Sequence, residues 1–113
     1  MKQIVLDTNF LIYCIQNKID FIEEIKRICN FKYELCIIEG TLQELDKLKE
    51  GRLAKAMINK FKIKKIKSEK NVDNTIIDLC GENVIVATHD KELISNLDCK
   101  IINVRQKKYL ILK

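Results

Sequence analysis

Short apolar runs punctuate this chain, separated by longer stretches in which apolar residues recur every three to four positions. The runs are Ile4–Leu6, Tyr33–Ile38, Val84–Ala87 and Ile101–Val104. Brief runs rich in β-branched and aliphatic residues read as strands buried on both faces of a parallel sheet. Tyr109–Leu112 would add an edge strand. Residues 9–17 are too long and too apolar to be a hairpin partner of the first run, so a helix is predicted there. Over residues 19–29, Phe21, Ile22, Ile25, Ile28 and Cys29 fall on one helical face, with Glu23, Glu24, Lys26 and Arg27 outside it. Further helices are predicted over 41–49 and 52–62, with Gly51 as the break between them. The inner stripe of the second would be Leu53, Ala56, Met57 and Phe61. Helices over 73–82 and 90–97 complete the pattern. Strands alternating with helices predict a three-layer α/β/α sandwich around a mainly parallel sheet. No repeat, linker or proline divides the chain, so residues 1–113 are expected to form a single domain.

The sequence Val5-Leu6-Asp7-Thr8-Asn9-Phe10-Leu11-Ile12 places Asp7 where the first strand passes into a helix, and Asp90 holds the same position after Val84–Ala87, Thr88 and His89. Ligands of open α/β sheets bind at the carboxyl ends of the strands, so parallel strands would bring both acids to one edge. Asp73 opens a helix whose apolar stripe is Ile76, Ile77 and Cys80; a helical wheel puts Asp73 within that stripe, with Asn74 and Asp78 outside. Glu44 flanks the stripe Leu42, Leu45 and Leu48 in the helix after the second strand. Four carboxylates from four segments can therefore converge. Such a group is self-repelling unless a cation balances it. Oxygen ligands without histidine or thiol suit Mg²⁺ or Mn²⁺, and a metal-bearing acidic cleft suits a phosphodiester substrate. A plainer reading competes, because Asp7, Asp73 and Asp90 could each cap the helix that follows and Glu44 could be a solvated helix residue. Glu39, Asp46, Asp78 and Glu92 are expected to be surface charges, and His89 an incidental loop residue.

Composition narrows the function classes. A charge of +5 suggests a polyanionic partner without establishing one. Lys60, Lys62, Lys64, Lys65, Lys67 and Lys70 form one basic strip, interleaved with Ile63 and Ile66. It would track RNA, guard a sheet edge, or both. Arg105, Lys107, Lys108 and Lys113 cluster near Tyr109. Neither cluster has the aromatic spacing of a dedicated single-strand platform. No apolar run approaches the roughly 20 residues that span a bilayer, and Met1-Lys2-Gln3-Ile4 is expected to pass straight into a strand, without an apolar h-region or cleavage site. Five cysteines without a Cys-x-x-Cys spacing are expected to be reduced, buried thiols of a cytoplasmic protein.

Read in order, VLDTNFLI, TLQELDKL, VDNTIIDLC and VIVATHDKEL span nearly the whole chain. This series resembles the PIN-domain ribonucleases. The resemblance implies an endoribonuclease in which Asp7, Glu44, Asp73 and Asp90 are catalytic metal ligands, with Asn9 and Thr88 as polar neighbours. THDKEL followed by a strand ending INVR is similar to the branch that processes small-subunit ribosomal RNA, which implies pre-ribosomal RNA as a partner. That branch usually has a second acid in its third motif, where this chain has Asn74. A toxin of the VapC type and a non-catalytic PIN scaffold are the alternatives, and a homodimer is left open.

Overall fold

The computed structural model describes residues 1–113 as β1 (Lys2–Leu6), α1 (Thr8–Gln16), α2 (Phe21–Ile28), β2 (Tyr33–Ile38), α3 (Gly40–Asp46), α4 (Gly51–Lys60), β3 (Lys64–Ile66), α5 (Val72–Leu79), β4 (Val84–Ala87), α6 (Lys91–Ser95), β5 (Lys100–Arg105) and β6 (Tyr109–Leu112). The strands form one sheet in the order β3-β2-β1-β4-β5-β6. Every pairing is parallel except β5 with β6. This is the expected α/β architecture, and no helix is long and apolar enough to cross a membrane.

Alternation along the strands sorts the core into two layers. Ile4, Leu6, Ile37, Ile85, Ala87 and Ile102 face α1–α4, packing with Phe10, Phe21, Ile25, Leu45 and Ile58. Val5, Cys36, Ile38, Val84, Val86 and Ile101 face the other way, onto Val72 and Ile76 of α5 and Leu93 of α6. Connections from β1 lead across one face, and those leading back to β4 cross the other. The chain thus changes direction between β1 and β4, and the helices part at the carboxyl ends of those strands. A crevice at this switch point follows from the topology alone.

Several local expectations need correction. Residues 64–66 form an edge strand within the lysine strip, so edge protection is one role the strip does fill. Gly51 is the first residue of α4, and it is required by a close approach: a Cβ there would lie 1.7 Å from the carbonyl oxygen of Leu45. The inner stripe of α4 is Gly51, Ala54 and Ile58. Leu53 and Phe61 are instead 54% and 40% exposed. With Ala56 and Met57 they line an apolar groove against Cys14, Ile15 and Ile19 of the α1 side. The cysteines also divide differently. Cys14, Cys29 and Cys36 are buried thiols as expected, whereas Cys80 and Cys99 form a disulfide that ties the end of α5 to the start of β5.

Candidate active site

Asp7 follows the last residue of β1, and its amide donates to the carbonyl of Ala87 at the end of β4, 3.0 Å away. That bond carries the sheet ladder one step past β1 and fixes the acid at the mouth of the crevice. Asp7 is the N-cap residue of α1, yet its side chain makes no capping hydrogen bond. It turns to the hydroxyl of Thr88, which donates to Asp7 Oδ2 at 3.0 Å. The same hydroxyl accepts from the amide of Asp90 at 3.1 Å. Asp90 does cap a helix, its Oδ1 accepting from Glu92 and Leu93 at the start of α6.

Glu44 reaches the crevice from α3. Its carboxylate accepts from the hydroxyl of Thr8, which lies 3.0 Å from the hydroxyl of Thr41. Asp73 stands in the first turn of α5, where Asn71 rather than Asp73 supplies the cap. The wheel argument for Asp73 needs correction: the buried face of α5 is Val72, Thr75 and Ile76, and Asp73 is exposed. It faces the open end of the sheet, where helix ends stand clear of the core. Asp7, Thr8, Asn9, Glu44 and Asp73 line one cleft of about 470 Å³ together with Lys47, Leu48, Asn71 and Val72. Asp73 and Asp90 share a second, adjoining depression. Thr8, Thr41, Lys47 and Asn71 were missed in the sequence. Lys47 sits three positions after Glu44 on the same helix and could have been found from that spacing.

The electrostatics single out Asp7. Its carboxyl is pushed up to about 6, raised most by burial and further by the charges of Asp73, Asp90 and Glu44, against the lowering effect of the Thr88 hydroxyl. The four acids therefore share one field. They do not share one closed coordination shell, since no three His, Cys, Asp or Glu side chains stand close enough to hold an ion as they are placed. The donor set is all oxygen, and its mutual repulsion is of the kind a divalent cation relieves.

The remaining residues singled out in the sequence lie around this cleft or away from it. Asn9 is exposed on the cleft wall. Lys60 ends α4, Lys62 is in the following turn, and Lys64 and Lys65 are on β3 with Lys67 just beyond. Lys64 pairs with Glu34, and Lys60 lies over the ring of Phe61. Lys107 and Lys108 occupy the β5–β6 turn.

Residues 4–107 match the model of the PIN-like domain family. The chain belongs to that family. It is 41% identical to Ribonuclease VapC4 of Methanocaldococcus jannaschii, with 96% of this chain and 95% of that protein covered. The solved structure of the PIN domain endonuclease Utp24 superposes with a TM-score of 0.84 over 98% of this chain and 90% of that one, at 24% identity. That likeness is one of fold.

Proposed function

We propose that this PIN-domain protein is a metal-dependent endoribonuclease of the VapC toxin type. The single observation that carries the chemistry is the crevice itself, in which a buried Asp7 feels Asp73, Asp90 and Glu44. Asp7, Glu44, Asp73 and Asp90 would hold Mg²⁺ or Mn²⁺. A bound divalent ion supplies charge to balance carboxylates and phosphate, and lowers the pKa of a water that attacks phosphorus. Asp7 contributes its carboxylate only when ionised, and Thr88 favours that form while fixing its orientation. Lys47 lies on the cleft wall where it can neutralise a phosphate oxygen, and Asn9 can donate from its amide.

The toxin role is supported by the identity to Ribonuclease VapC4 along nearly the full length of both chains. Processing of ribosomal RNA, suggested by the THDKEL segment, has as further support only a likeness of fold to Utp24. A toxin implies an antitoxin partner, and the exposed apolar groove between α1 and α4 is the surface such a segment would cover. Cleavage of structured RNA with Mn²⁺ by wild type, and its loss in Asp7→Asn with folding retained, tests the activity. Growth arrest on expression of wild type but not of Asp7→Asn tests the role. Cleavage without arrest would return the ribosomal reading to the front.

A further inference from the structure

The chain's one histidine is held like a component of a site. The rings of His89 and Tyr13 stack with centroids 4.4 Å apart and planes inclined by 31°. His89 Nδ1 lies 3.2 Å from Asn103 Oδ1. That oxygen also accepts from the amide of Val104 at 2.7 Å, which fixes the Asn103 side chain with its oxygen toward the histidine. An oxygen acceptor requires that Nδ1 carry the proton. The imidazole is thus clamped on one face and one edge, yet His89 stays exposed. Its neighbours in sequence are Thr88, which bonds Asp7, and Asp90, which belongs to the same acidic crevice.

A second observation extends the surface. Past Asn103, β5 runs to Arg105 and turns into β6, with the amide of Lys108 donating to the carbonyl of Arg105 at 3.0 Å. The two central residues, Gln106 and Lys107, have φ of 53° and 55°. Two successive residues at positive φ, here within a three-residue loop between the paired Arg105 and Tyr109, favour Asn-Gly, because side chains with a Cβ are disfavoured there. Gln106 and Lys107 occupy the turn despite that cost, and with Arg105 and Lys108 they give its tip three cations.

We propose that Tyr13 and His89 form a platform on which one base of a single-stranded RNA stacks beside the acidic crevice, its strand then passing to the basic β5–β6 turn. This rests on the ribonuclease reading and specifies where the substrate lies. Histidine and tyrosine are rings on which unpaired RNA bases stack, and stacking of this kind tolerates different bases. A ring already clamped loses little freedom when a base settles on it.

The test uses a single-stranded RNA carrying 2-aminopurine at successive positions, with Ca²⁺ replacing Mn²⁺ to restrain cleavage. One position should show fluorescence quenching on binding to wild type. His89→Ala should abolish that quenching and weaken binding about tenfold, whereas His89→Phe should retain most of both. An abasic nucleotide at the quenched position should weaken wild type but add little to the loss in His89→Ala. If wild type binds RNA and His89→Ala binds and quenches equally well, the platform is wrong and the ribonuclease reading stands. If wild type neither binds nor cleaves RNA, both fall together.

Discussion

The hydroxyl of Thr88 donates to Asp7 at 3.0 Å while receiving the amide of Asp90, so one buried side chain links the two acids that end β1 and follow β4. Thr88 is fully buried, and its amide is tied separately to the carbonyl of Ile102 at 3.1 Å. It orients Asp7 and also makes its ionisation easier. Removing the hydroxyl in Thr88→Val should therefore raise the Asp7 pKa above about 6. The pH midpoint of Mn²⁺ affinity should move up with it, because a proton competes for the ligand. Isothermal titration from pH 5 to 8 measures this, and an unmoved midpoint would disconnect Thr88 from the site.

Asp7 itself should destabilise the metal-free protein at neutral pH. Its carboxyl is raised from 3.8 to about 6, so the fold binds its proton more tightly than the unfolded chain does. Its contribution is most favourable below the unfolded pKa and is lost as pH rises through the folded one. Asp7→Asn should consequently be the more stable protein at pH 7.5 by up to about 3 kcal/mol, with the advantage disappearing near pH 4. Urea titrations of both proteins across this range test the sign directly. Mn²⁺ should reverse the order by stabilising wild type alone.

Capping and metal binding can be separated at Asp90 and Asp73. Asp90 caps α6, so Asp90→Ala should cost about 1 kcal/mol without metal, and Asp90→Asn much less. Asp73 does not cap α5, so neither Asp73→Ala nor Asp73→Asn should carry a capping cost. All four variants should lose most of the thermal shift given by Mn²⁺. Asp78, paired with Lys70 on the surface, is the control, and Asp78→Asn should keep the shift. A full shift in Asp73→Asn would exclude α5 from the metal site.

The β5–β6 turn offers a case where stability and function should move in opposite directions. Lys107→Gly places glycine at a φ of 55° and should stabilise the fold by about 1 kcal/mol. If Lys107 also contacts a phosphate, the slope of log affinity against log salt should fall by about 0.7. A gain in stability with an unchanged slope would make Lys107 a turn residue only.

The Cys80–Cys99 disulfide closes a loop with a sequence separation of 19, for which chain entropy gives a stabilisation of about 3 kcal/mol. Denaturant melts with and without reductant should differ by about that amount, and Cys80→Ser should lose the sensitivity. Equal melts, with five titratable thiols in the unreduced protein, would show that the bond does not form in solution.

Much of the site could be read in the sequence because Asp7 and Asp90 each follow a strand whose apolar run stops abruptly. Parallel pairing then brings them together without further information. Asp73 was found by a wheel that gave the wrong reason, since the first turn of a helix at a sheet edge can face a cleft instead of the core. β3 was hidden because Lys64 and Lys65 carry no apolar signal, and an edge strand needs little burial. In α4 the apolar residues Leu53, Met57 and Phe61 outweighed the smaller Gly51 and Ala54, which are buried because the helices come close. The disulfide could not be read at all. Cys80 and Cys99 meet through the path of β4 and α6, and nothing in their spacing records that path.

The place of that disulfide bears on how one wall of the crevice is held. It fastens the carboxyl end of α5, while Asp73 stands at the amino end, about 10 Å away along a helix rising 1.5 Å per residue. The amino end is held by a different means, with Val72, Thr75 and Ile76 buried against the sheet and Asn71 capping the first turn. Both tips of α5 are therefore tied down, one by packing and one by a covalent bond. Asp73 is carried on a strut fixed at two points, so its carboxylate is presented to the crevice from a settled backbone.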